Sequence, residues 1–149
     1  PLKHLHGVPA TLAVQQLPDA PLAALRSPID HFFALPDVPS MVEQLQEVTV
    51  ADSHEWAMTT ANLMKTRSPL AMAVTLQMLR RGRRLPLEQC FALELHLDRQ
   101  WFERGDLIEG VRALIIDKDK TPRWNPPTLH ELDANHVESF FHTFKQVAN

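Results

Sequence analysis

The 149-residue sequence has no tyrosine, one cysteine and four glycines, and each scarcity excludes something. A lone Cys90 supports neither an internal disulfide framework nor a cysteine-based zinc site, and it suits a reducing compartment. The glycines at 7, 82, 105 and 110 form neither a Gly-x-Gly-x-x-Gly turn nor a phosphate-cradling loop. No Gly-x-Ser-x-Gly elbow is present to expose a serine nucleophile. No apolar run reaches the roughly 18 residues of a membrane span, and the N-terminal stretch lacks a secretion-signal pattern. Net charge is only −3 with histidine neutral, which argues against a protein held on nucleic acid by its overall field. A soluble, cytoplasmic domain with no nucleic-acid or membrane partner is expected. The chain opens on Pro1 instead of methionine, as expected of a processed chain or a piece of a longer one.

What is present favours helices. Leucine and alanine far outnumber valine and isoleucine, a balance that disfavours strands. Val38, Met41, Val42, Leu45 and Val48 fall on one helical face, with Pro39 near its first turn. Asp52 and Glu55 read as a capping box for a helix burying Trp56, Leu63 and Met64. Ser68-Pro69 reads as an N-cap followed by proline at the first helical position, opening a helix over 70–81. That segment is apolar almost all round, which places it at the centre of the core and ends it at Gly82. Pro86 starts the longest helix, through Trp101 to Arg104, and Gly105 stops it. Asp106 and Glu109 form a second capping box, with Leu107, Ile108, Val111, Leu114 and Ile115 expected to face inward. Residues 117–128 hold three prolines and predict an extended, surface-hugging segment on which Trp124 is an anchor. Asp133 caps a last helix with Val137, Phe140, Phe141 and Phe144 on one face. Five prolines between 18 and 39 flank a short helix near Ile29, Phe32 and Phe33. The architecture is all-α, with residues 1–27 as a lead-in and 28–149 as the helical domain.

Candidate chemistry is thin. Eight histidines invite a metal site, but His130-Glu131 is followed by no histidine at 134, and His136 and His142 are off one helical face. No metal is expected. Asp117-Lys118-Asp119 follows an apolar run, so it reads either as a carboxylate pair at a strand end or as a solvated turn after a helix. The preceding caps favour the turn. Arg80, Arg81, Arg83 and Arg84 surround Gly82. They either complement the negative end of a helix or form a site for phosphate or a partner carboxylate. Cys90 lies on an apolar helical face and reads as a core thiol. No catalytic constellation emerges.

Three stretches together carry a resemblance: KTRSPLAMAV at 65–74, LEQCFALELHLDR at 87–99 and DLIEGVRALIIDKDKTPRWNP at 106–126. In this order they resemble the C-terminal part of the crotonase (enoyl-CoA hydratase/isomerase) superfamily, and more narrowly its 3-hydroxyisobutyryl-CoA hydrolase-like branch. Ser68, Pro69, Asp106, Glu109, Gly110, Arg112, Asp117, Lys118, Asp119, Pro122, Trp124 and Pro126 are the motif positions, read as structural. The match is good over about residues 29–144 and weak before them. The resemblance implies an enzyme built from a spiral of ββα units followed by about six to seven helices. The spiral supplies the oxyanion amides and the water-activating acids, and no stretch here matches it. No catalytic residue can therefore be placed on this chain. The implied partners are the missing N-terminal spiral and an acyl-CoA substrate, with no separate cofactor and with self-association through an exposed apolar patch. The alternatives are an enoyl-CoA hydratase of the same superfamily and a free-standing helical interaction module.

Overall fold

The computed structural model describes residues 20–142 together with Phe144. Most of the expected lead-in, with His4 and His6, lies outside the described residues. Among the described residues there are eight α-helices and no strand, as the all-α reading requires. Two short pieces, α1 (Pro21–Ala24) and α2 (Arg26–Phe32), lead into α3 (Val38–Gln46) and α4 (Ala51–Lys65). The central helices are α5 (Pro69–Gly82) and α6 (Leu87–Arg104). After them α7 (Leu107–Val111) continues directly as a π-helical turn, Arg112–Ile116. An extended proline-rich strap then leads through a 3-10 turn, Leu129–Glu131, to α8 (Ala134–Ser139).

Local chemistry sets most of these boundaries. Asp37 caps α3 by accepting from the Ser40 amide at 2.8 Å, and Pro39 occupies a first-turn position where no intrahelical N–H is needed. Ser68 caps α5 through the Ala71 amide at 3.0 Å, and Asp133 caps α8 through the Asn135 amide at 2.9 Å. α4 departs from expectation. It begins at Ala51 with Val50 as its N-cap, so Asp52 falls inside the first turn and the Asp52–Glu55 box does not define the start. His54 acts there instead, donating from Nδ1 to the Val48 carbonyl at 2.6 Å. Gly105 ends α6 for a spatial reason. Its backbone is extended, with φ −100° and ψ −179°, but a Cβ there would lie 2.1 Å from the Trp101 ring.

The core forms where the apolar faces meet. Val38, Val42 and Leu45 of α3 pack with the small Ala57 and Ala61 of α4. Leu70, Ala73 and Val74 put α5 against α3, α6 and α8, and Leu93 and Leu97 enter from α6. Each fully buried large side chain contributes about 1.5–3 kcal/mol. Leu63 faces solvent, because it lies on the opposite side of α4 from Ala61. Leu79 is also exposed, so α5 is central through its first half only. Phe140 and Phe141 are buried just beyond α8, and two arginines secure them. Arg81 stacks 4.0 Å from the Phe141 ring and grips Glu138 with bonds of 2.6 and 2.8 Å. Arg104 lies 4.5 Å from the Phe140 ring and bonds the Ser139 hydroxyl and carbonyl.

The basic turn is thus divided. Arg80 donates to the Leu35 carbonyl at 2.6 Å and to that of Pro36, while Arg81 is spent on Glu138. Planar guanidinium forks suit such paired acceptors, so these two tie elements together and do not form an anion site with Arg83 and Arg84. Cys90 is half-buried, its Sγ 3.6 Å from the Gly82 carbonyl.

Candidate functional site

The motif positions converge on one corner of the domain, where α7 and the strap meet the start of α5. Ser68 both caps α5 and donates its hydroxyl to Asp106 Oδ2 at 2.5 Å. Asp106 is buried, and its other oxygen accepts from the Asn125 amide at 3.0 Å. Glu109 takes a two-pronged contact from Arg112 at 2.8 and 2.9 Å and also accepts from the Arg123 amide at 2.7 Å. The expected Asp106–Glu109 capping box is therefore not made. No side chain caps α7, and both carboxylates reach instead across to the strap. The reason is tertiary: amides of the strap, 14 to 19 residues downstream, take up these carboxylates.

Arg112 is the hub. Besides Glu109, its Nη1 donates to Asp117 at 2.6 Å and Asp119 at 2.7 Å, and its Nη2 donates to the Thr121 carbonyl at 3.2 Å. Asp117 and Asp119 are thus ion-pair partners at the start of the strap and not merely members of a solvated turn. The pairing bends the chain sharply. Lys118 and Lys120 adopt left-handed backbone conformations, φ 57° and 56°, which side-chain-bearing residues rarely occupy. Asp119 accepting from the Thr121 amide and the Lys120 amide donating to the Ala113 carbonyl hold that bend. Trp124 is half-buried. Its indole N–H donates to the Thr66 carbonyl at 3.1 Å while its ring lies over Gly110. Pro126, after a cis peptide bond, is buried, and Pro69 is buried at the start of α5.

These contacts frame an open cleft of about 680 Å³. Ala71 and Thr75 of α5, Trp101 of α6, Leu107, Val111 and Leu114 on the opposite wall, and Pro122 and Trp124 of the strap line it. Arg67 and Lys120 also border it, so its walls are mostly apolar and carry two cations. The expectation that Leu107, Ile108, Leu114 and Ile115 face inward fails. All four are exposed, with Ile116 beside them, and Ala113 is the one residue of the run that is buried. Passing from α-helical to π-helical winding at Arg112 rotates the later residues off the face that the earlier periodicity implies.

The carboxylates around Arg112 are held by fixed partners. The Arg112 guanidinium and the Arg123 amide hold the Glu109 carboxyl down at about 2, and Arg112 and Thr121 hold Asp119 below its ordinary value. Hydrogen bonds to Glu109, Asp119 and Asp117 in turn push Arg112 up. Asp106 has both oxygens committed. Among the described residues no group of histidine, cysteine and carboxylate side chains could hold a metal ion. The arrangement can enclose and position a bound molecule. Arg67, Lys120, Thr66 and Trp101 were not legible as neighbours, since they are drawn together only when α5, α6 and the strap close on one another.

A family model described as enoyl-CoA hydratase/isomerase matches residues 4–141. The mitochondrial 3-hydroxyisobutyryl-CoA hydrolase of Dictyostelium discoideum is 35% identical over 114 residues, covering 76% of this chain and 29% of that protein. The crystal structure of a carnitinyl-CoA dehydratase from Mycobacterium thermoresistibile aligns with a TM-score of 0.79 at 32% identity, covering 91% of this chain and 38% of that one. An enoyl-CoA hydratase from Rhodobacter sphaeroides aligns with a TM-score of 0.76 at 28% identity, covering 88% and 38%. The chain therefore spans about a third of the length of these proteins. The cytoplasmic expectation is overturned here, because the Dictyostelium hydrolase and its Danio rerio counterpart are mitochondrial by name. A single reduced cysteine does not distinguish the cytoplasm from the mitochondrial interior. The chain belongs to the enoyl-CoA hydratase/isomerase family and corresponds to the helical C-terminal region of its crotonase fold.

Proposed function

We propose that this chain is the helical wall of the acyl-CoA site in a mitochondrial 3-hydroxyisobutyryl-CoA hydrolase-like enzyme. The 35% identity to the Dictyostelium hydrolase over 114 residues carries the reading. The cleft agrees with it. Apolar walls beside Arg67 and Lys120 suit an amphiphile with an apolar acyl end and an anionic remainder. On this reading residues 28–149 form the domain and 1–27 its lead-in, and an N-terminal spiral supplies the oxyanion amides and the activated water. The motif residues Ser68, Asp106, Glu109, Arg112, Asp117 and Asp119 then hold the strap in place and leave the chemistry to the spiral. Assembly with further copies of the chain belongs to the same reading.

The test is an assay of the full-length protein for release of free coenzyme A thiol from 3-hydroxyisobutyryl-CoA. Rapid thiol release with no hydration of a 2-enoyl-CoA supports the hydrolase. The enoyl-CoA hydratase reading has the Rhodobacter structure in its favour. Hydration of a 2-enoyl-CoA without thiol release would select it, and absence of both activities would defeat both readings.

A further inference from the structure

Two indoles line the cleft, and their N–H groups differ. Trp124 commits its donor to the Thr66 carbonyl at 3.1 Å. Trp101 Nε1 has no hydrogen-bond partner among the described residues. No buried side-chain nitrogen or oxygen among those residues lacks a partner, so the Trp101 donor is one that water reaches.

The other surfaces of this ring are taken. Trp101 stands in the last turn of α6 and packs on Phe140, the ring centroids 4.7 Å apart and the planes tilted by 46°. Its Cε3–Cζ3 edge lies over Gly105, where a Cβ would collide with both atoms. The Gly105 backbone is extended, a conformation open to any residue, so space and not φ calls for glycine there. In an indole the N–H lies on the edge opposite Cε3. Seating one edge on Gly105 and one face on Phe140 leaves the second face and the N–H edge for the cleft.

A free donor in a mostly apolar cleft is selective. Polar groups in the lining are few, and the side chains of Thr66, Ser68 and Asp106 are already paired. A ligand that covers the Trp101 N–H displaces its water, and a donor then left unpaired costs more than a hydrogen bond contributes. On the acyl-CoA reading of the cleft, on which this inference rests, the ligand joins anionic phosphates to a thioester through an uncharged arm bearing two amides. The phosphates match Arg67 and Lys120, and an amide carbonyl matches a neutral N–H. We propose that Trp101 is a ligand-binding residue whose indole N–H donates to an amide carbonyl of the coenzyme A arm, and that Gly105 lacks a side chain in order to seat the ring for it.

The test uses full-length protein carrying isotope-labelled tryptophan, with free coenzyme A as the probe. The Trp101 N–H resonance, assigned by its absence from Trp101→Phe, should shift on titration and exchange with water at least about tenfold more slowly in the complex. Trp101→Phe should weaken coenzyme A binding by about three- to tenfold, the equivalent of one neutral hydrogen bond. It should raise KM for the acyl-CoA substrate by a similar factor with kcat held within about twofold. Gly105→Ala keeps the indole but pushes it off its seat, and should weaken binding to a similar extent even if Trp101→Phe fails to fold. Coenzyme A that binds without slowing the Trp101 N–H would overturn the assignment and leave the acyl-CoA reading standing. Trp101→Phe that binds as tightly as the native protein would do the same. Slow exchange before any ligand is added would show the donor covered by the rest of the protein, and would also overturn it. Failure of coenzyme A to bind at any concentration would remove both the assignment and the reading beneath it.

Discussion

Replacing Asp106 with alanine removes two acceptors from one buried point. The Ser68 hydroxyl, 2.5 Å away, and the Asn125 amide, 3.0 Å away, both lose their partner. Hydrogen bonds to an ionised group contribute about 1.5–3 kcal/mol each, and the desolvation of a carboxylate that is 8% exposed offsets part of the sum. The expected net cost is about 2–4 kcal/mol. For a domain near this length that lowers Tm by roughly 5–15 °C. Asp106→Asn should cost about half as much, because its carbonyl still accepts from Asn125 and its amide can donate to Ser68 Oγ. Ser68→Ala loses the α5 cap as well, worth about 1 kcal/mol. In a double-mutant cycle Ser68→Ala and Asp106→Ala should show a coupling of about 1–2 kcal/mol, measured by urea unfolding followed by far-UV circular dichroism with an unchanged m-value. Asp106→Ser is the decisive variant. A serine would cap α7 well but cannot reach both Ser68 and Asn125. Full retention of stability in Asp106→Ser, or additive single changes in the cycle, would refute the assignment and return Asp106 to a capping role.

Four further outcomes are expected. Glu109 titrates near 2 in the fold against an ordinary 4.5, so its contribution is present above about 4.5 and is lost as pH falls towards 2; Arg112→Gln should remove that acid-side loss in Tm measured across this window. Gly105→Ala should destabilise by about 1–3 kcal/mol because its Cβ meets the Trp101 ring at 2.1 Å, whereas Gly110→Ala, whose Cβ would sit 3.4 Å from the Trp124 ring, should be neutral or stabilising by up to about 1 kcal/mol. Calorimetric melts that rank the two alike would contradict this. Trp124→Phe keeps the ring on Gly110 but loses the bond to Thr66, at a cost of about 0.5–1.5 kcal/mol, and with Trp56 and Trp101 replaced by phenylalanine a Trp124 emission maximum as red as that of free tryptophan would disprove the docked indole. The 149-residue chain alone should turn over neither 3-hydroxyisobutyryl-CoA nor a 2-enoyl-CoA; turnover lost on changing one of its own carboxylates would show that a catalytic group had been missed.

Helix positions were legible because their signals are local. Proline after Ser68, proline after Val38, Asp133 before α8 and the apolar spacing of α3 and α6 act within one or two turns, and the structure keeps all of them. Where the local reading failed, a competing partner lay far along the chain or had no sequence signature. Val50 displaced Asp52 at the start of α4. The inward face assigned to Leu114 and Ile115 did not survive the change of winding at Arg112, and Leu107 and Ile108 are exposed ahead of it.

The site divides along the same line. The family resemblance marks Ser68, Asp106, Glu109, Arg112, Asp117, Asp119 and Trp124 as motif positions, and their spacing offers no metal-ligand motif and no serine elbow. It leaves their roles open. Capping and solvation are the nearest explanations for a carboxylate beside a helix start, since a sequence displays neighbours within a few residues and says nothing of an amide 19 residues on. Folding the strap back over α7 brings the Arg123 and Asn125 amides and the Thr121 carbonyl within 3.2 Å of those side chains. Long-range closure therefore turns expected caps into clasps. The same closure builds the cleft from α5, α6, α7 and the strap, because a concave wall exists only after separate elements have packed.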